Sequence, residues 1–94
     1  MRTEVVEVYS DQTNAVVLRH PERKFPGLLL QGDTLYSLCH SADEACGHAK
    51  DALQSDAYAE LNELRNRLWS LLNHYKTVLG AHQIPLPFSE ASGA

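Results

Sequence analysis

The chain has 94 residues, 44% of them hydrophobic, with eight Lys and Arg against twelve Asp and Glu for a net charge of −4. That length holds one core but would leave two halves too small to bury separate ones, and the apolar content argues against wholesale disorder. An acidic surface repels a phosphate backbone, which argues against general nucleic-acid binding. With no 18-residue apolar run and no signal-like start in MRTEVVEVYS, a cytoplasmic, non-membrane protein is expected.

Composition shifts near residue 33: five of the six valines precede residue 18, and ten of the fourteen leucines follow Asp33. Thr3 to Tyr9 and Asn14 to His20, rich in β-branched residues, read as strands joined by the turn-like Ser10-Asp11-Gln12-Thr13-Asn14. So short a connection implies an antiparallel hairpin. A loop with prolines at 21 and 26 follows, then a third strand over Leu28 to Gln31 between Gly27 and Gly32. Alternation sets Val6, Val8, Val16, Leu18, Leu28 and Leu30 on one face, and Val5, Tyr9, Val17 and Leu29 among Glu7, Arg19 and Gln31 on the other. A second face this apolar needs a cover, and a second copy is expected to supply it as a dimer or higher homo-oligomer. Helices or the tail on both faces are the alternative.

Asp33-Thr34 opens a helix whose stripe runs through Leu35, Leu38, Cys39, Ala42, Cys46, Ala49 and Leu53. Gly47 lies inside it, at a cost of roughly 1 kcal/mol against Ala, and marks a weak point or a close approach of another backbone. Ser55 can cap a second helix with the stripe Leu61, Leu64, Leu68, Leu71, Leu72, Tyr75 and Leu79, which Gly80 can stop. Ile84-Pro85-Leu86-Pro87-Phe88 is extended and packs back on the body. The expected architecture is α+β: a three-stranded antiparallel meander followed by two helices (β-β-β-α-α) and a Pro-rich tail. Residues 1–88 form one domain, and 89–94 are a disordered tail. Cys39 and Cys46, about 10 Å apart if they share a helix, cannot bridge and read as small buried hydrophobes.

The stretch Phe25-Pro26-Gly27-Leu28-Leu29-Leu30-Gln31-Gly32-Asp33-Thr34-Leu35 resembles the signature of HicB-like antitoxin domains, and the similarity extends over residues 3–53. It implies a role in binding and restraining another macromolecule. Beyond residue 53 the chain departs from that pattern: a long helix and a Pro-Leu-Pro ending replace the usual fourth strand and DNA-binding segment, which puts autoregulation and toxin pairing in doubt. Taken whole, the chain resembles a small uncharacterised bacterial family with the same Arg-x-x-Pro-Gly strand, Gln-Gly-Asp turn and Ile-Pro-Leu-Pro ending.

Three groups of side chains are candidate sites. Arg19, Arg23 and Lys24 gather beside Phe25 in an otherwise acidic chain, a pattern that suits a phosphate, a nucleotide or an acidic partner. The plainer reading is a solvated loop whose charges offset Glu4, Glu7 and Glu22. Trp69 shares a helical ridge with Tyr58, Arg65 and Lys76, an aromatic pair flanked by cations that suits protein contact or base stacking. Alternatively Trp69 is a core-rim residue half covered by the tail. His40, Glu44 and His48 stand four residues apart, the spacing of a helical metal line, but on the outward face, where a solvated polar surface is the plainer reading. No catalytic motif is assembled, and no cofactor is expected. The leading expectation is a non-catalytic module that binds another macromolecule, in the manner of an antitoxin or immunity protein. A nucleotide-signal binder with sites at subunit boundaries is the second, and a minimal metal-dependent enzyme the third.

Overall fold

The computed structural model describes residues 1–52 and 54–90. Three strands precede two helices: β1 (Glu7–Ser10), β2 (Val16–Arg19), β3 (Gly27–Leu29), α1 (Gly32–Ala49) and α2 (Ser55–Ala81). The α+β meander read from the sequence is the observed one. The chain divides into two compact units, Met1–Gln31 and Gly32–Ala94.

In the first unit the strands pair antiparallel in the order β1-β2-β3, so β2 is central and both outer strands have an open edge. Each strand is shorter than its apolar run: β1 starts at Glu7 rather than Thr3, and β3 ends at Leu29 rather than Gln31. Val8 pairs with Leu18 while Ser10 pairs with Val17, so Tyr9 is the extra residue of a bulge. In the second ladder Val16 pairs with Leu29 and Val17 with Leu28. Directly opposed residues share a face. The register therefore corrects the expected faces: Leu29, not Leu28, joins Val8, Val16 and Leu18, and that face is wholly apolar. Leu28 lies with Val17 on the face that also carries the Glu7–Arg19 pair. Period-two alternation cannot see this, because the loop from Pro21 to Pro26 sets where β3 begins its alternation. No residue of Met1–Gln31 is buried; Val8 is 55% exposed on one face and Leu28 67% on the other.

In the second unit α1 packs against α2. The buried residues of α1 are Gly32, Cys39 and Cys46, spaced by seven, and Leu72 of α2 is buried with them. Two turns separate successive members of this line, so three small side chains form one seam that lets α2 approach closely. At Gly32 an added Cβ would overlap the tip of the Tyr75 ring, so a larger residue there has to displace that side chain. Among the described residues no atom approaches Gly47, so no close backbone contact forms there and its helix-propensity cost stands. Leu38, Leu64 and Leu71, expected on the buried stripes, are exposed, and Leu53 lies outside the described residues.

Helix ends differ from the sequence expectation at single residues. Asp33 lies within α1, where its Oδ1 accepts from the Thr34 N–H at 2.9 Å. Gln54, not Ser55, is the N-cap of α2 and makes no side-chain cap bond. Gly80 stays helical, and the left-handed residue is Gln83, at φ 58°. Its N–H donates to the Gly80 carbonyl at 3.2 Å and the Ile84 N–H to the Leu79 carbonyl at 2.9 Å, the two bonds of a Schellman motif, with Pro85 following. No described helix is long and apolar enough to cross a membrane. A non-glycine residue in the left-handed region costs about 1–2 kcal/mol. Gln83→Gly is expected to stabilise the fold by about 1 kcal/mol in urea unfolding, and Gln83→Val to destabilise it.

Candidate functional site

The basic loop is built on the β1–β2 ladder. Glu7 faces Arg19 across the strands, and Arg19 Nε donates to Glu7 Oε1 at 2.7 Å while its Nη1 donates to the Arg23 carbonyl at 3.0 Å. The Tyr9 hydroxyl donates to the same Glu7 oxygen at 3.1 Å. Arg19 is thus engaged internally, and the directly opposed carboxylate competes with any anion for its guanidinium. Arg23 and Lys24 engage no carboxylate among the described residues. Lys24 Nζ lies 5.4 Å from the centroid of the exposed Phe25 ring, within cation–π range.

Arg2, His20, Glu22 and Arg23 line a cavity of about 420 Å³. Arg2 pairs with Glu4 and donates through Nη2 to Glu22 Oε1 at 3.1 Å, and the Glu22 N–H donates to His20 Nδ1 at 3.1 Å. The loop is closed by the Arg23 N–H on the His20 carbonyl at 2.9 Å. Sequence reasoning missed Arg2, since only the fold brings the start of the chain onto a loop twenty residues away. The cavity offers two guanidinium groups and an imidazole, but Glu4 and Glu22 both hold Arg2 and Glu4 lies 3.9 Å from His20, so an anion there competes with two carboxylates and only Arg23 has none among the described residues.

In the helical unit, Trp69 Nε1 donates to Asp43 Oδ1 at 3.0 Å, and Arg65 Nε lies 3.9 Å from the same oxygen. His40 sits edge-on to Trp69 at 5.9 Å and to Tyr36 at 4.4 Å, and Tyr36 stacks flat on Phe88 at 4.1 Å. The Tyr36 hydroxyl donates to the Ser89 carbonyl at 3.3 Å, and Lys76 pairs with Glu90. The tail does pack back, but its aromatic ring lands on Tyr36 rather than Trp69. Ser89 and Glu90 of the expected tail make these two contacts; residues 91–94 lie outside the described residues. Of the cations expected to flank this surface, Arg65 lies beside Asp43 and Lys76 pairs with Glu90, and Tyr58 is half-buried. Asp43 and Tyr36 carry no sequence signal for this role beyond sharing a helix face with Cys39.

The His40, Glu44 and His48 line does not converge. His40 turns to the rings of Tyr36 and Trp69, Glu44 and His48 are exposed, and no group of three metal-ligating side chains forms among the described residues. Cys39 and Cys46 are free and buried, and burial, with the Asp43 charge behind it, pushes the Cys39 thiol up, away from the thiolate a nucleophile needs.

The hydrogen bond from Arg19, followed by that from Tyr9, holds the Glu7 carboxyl below the usual carboxylate range. A carboxyl depressed by folding stabilises the fold above its unfolded pKa of about 4.3, and that contribution is lost as pH falls through the lower folded value. An NMR titration of the Glu7 carboxyl is expected to show a low midpoint that Arg19→Gln returns toward the ordinary one; an unchanged midpoint would contradict the pairing.

No curated protein and no solved structure matches the chain. Residues 1–88, which take in the meander, both helices and the Phe88 contact, match the Family of unknown function (DUF6959), and the chain belongs to that family.

Proposed function

We propose that the protein is a non-catalytic interaction module that binds and restrains another macromolecule, antitoxin- or immunity-protein-like in class, in the cytoplasm and as a homo-oligomer. One observation carries this reading: the sheet unit buries none of its own residues and leaves both edges open. Short strands exposed on both faces are marginal in water and gain from a partner's strand or apolar surface. The all-apolar face of Val8, Val16, Leu18 and Leu29 is the natural contact, with Phe25 exposed beside the loop. The likeness of residues 3–53 to HicB-like domains supports the same class. Native mass spectrometry of the chain purified from its own cells is expected to show a second protein bound, lost in Val8→Lys/Leu29→Lys with helical circular dichroism unchanged. No bound protein with the unaltered chain would sink the proposal.

The cavity of Arg2, His20, Glu22 and Arg23 favours a second reading, in which the loop takes a nucleotide or another small phosphate-bearing ligand. Under it, a nucleotide panel raises the melting temperature, and Arg2→Ala with Arg23→Ala removes the shift. An unchanged shift in the double variant would exclude this site.

A further inference from the structure

The tail is seated as a bound peptide is seated. Residues 84–90 form neither helix nor strand, so their carbonyls find no partner in regular structure. Leu86 and Phe88 are half-buried while Ile84, Pro85 and Pro87 are exposed, so alternate side chains hold the segment. Three contacts fix it: Phe88 stacks flat on Tyr36 at 4.1 Å, the Tyr36 hydroxyl donates to the Ser89 carbonyl at 3.3 Å, and Lys76 pairs with Glu90. None of these contacts involves Gly32, Cys39, Cys46 or Leu72, the buried residues of the helix pair, so the tail can leave without opening that core. The exposed ring of His40, edge-on to Tyr36 at 4.4 Å, borders the seat.

We propose that Leu86 to Glu90 form a masking strap, which occupies in its own chain a surface that otherwise takes a proline-rich, aromatic and acidic segment of a partner protein. Each feature of that partner is read from a contact the strap makes. A planar ring stacks on Tyr36, the next backbone carbonyl accepts from the Tyr36 hydroxyl, and a carboxylate two residues beyond the ring pairs with Lys76. Prolines keep such a segment out of helix and leave its carbonyls free for side-chain donors, and docking of proline-rich segments on aromatic side chains is a recurrent mode of peptide recognition. The surface lies wholly within Gly32–Ala94, so it is a second contact for an interaction module and independent of the sheet contact proposed above.

The probe is a synthetic peptide of residues 84–90, Ile-Pro-Leu-Pro-Phe-Ser-Glu, followed through the NMR signals of the Tyr36 ring. On the unaltered chain it meets a seat already filled by a tethered copy of itself. Phe88→Ala/Glu90→Ala empties the seat in the full chain, and the peptide is expected to bind that variant about tenfold tighter or more. Lys76→Glu added to the emptied chain is expected to abolish the gain, and a Glu90→Lys peptide to recover part of it. Glu90→Lys alone breaks only the ion pair and is expected to give a smaller gain of the same sign; it decides the question should Phe88→Ala lower the helical circular dichroism. Equal affinity for the unaltered and emptied chains would overturn the masking. No binding to an emptied chain of unchanged helical content, or a gain indifferent to Lys76→Glu, would overturn the surface itself.

Discussion

The structure depends on one narrow contact: the line of Gly32, Cys39 and Cys46 on α1 admits the buried Leu72 and the Tyr75 ring of α2. Small residues at seven-residue steps bring two helices close with little side-chain volume, so the hairpin is held by few buried groups. A close, narrow contact has a consequence. Each helix has an apolar arc wider than the strip its neighbour covers, and Leu38, Leu64, Leu71 and Val78 remain outside it. The polar side of the same contact is used fully, through Trp69 on Asp43 and the row of rings from Trp69 to Phe88. That asymmetry separates a satisfied aromatic side from an unsatisfied aliphatic one.

Charge follows the division into units. Met1–Gln31 has four basic and four acidic residues, whereas the rest has four basic against eight acidic, so the whole net charge of −4 belongs to the helical unit. The loop at Arg19 to Lys24 is therefore basic only locally, and β-sheet pairing spends part of it on Glu7. Among the described residues Arg23 and Lys24 engage no carboxylate, whereas Arg2, beside Arg23 at the cavity, is held by Glu4 and Glu22.

Much of the candidate site was legible in the sequence only as residue type. The concentration of Arg and Lys near Phe25 was visible, but not that Arg19 is taken by the residue directly across the ladder, nor that Arg2 arrives from the chain start. Trp69 stood out as the single tryptophan, yet its partner Asp43 lies 26 positions away on another helix, and no periodicity connects them. The helical line of His40, Glu44 and His48 was real as spacing. In the structure His40 lies against the rings of Tyr36 and Trp69 while Glu44 and His48 are exposed, and the three do not converge.

By itself the sequence determined the element order, the antiparallel meander and the excess of leucine on α2, because β-branched runs, turn residues and helical spacing act locally. Tertiary structure alone decided the sheet register that swaps Leu28 and Leu29, the choice of Gln83 over Gly80 to end α2, and that Gly32 with Cys39 and Cys46, rather than the leucines of α1, forms its buried line. Each of these is a competition between partners of similar local preference. Only the packed neighbours, by occupying one face or accepting one hydrogen bond, settle which partner wins.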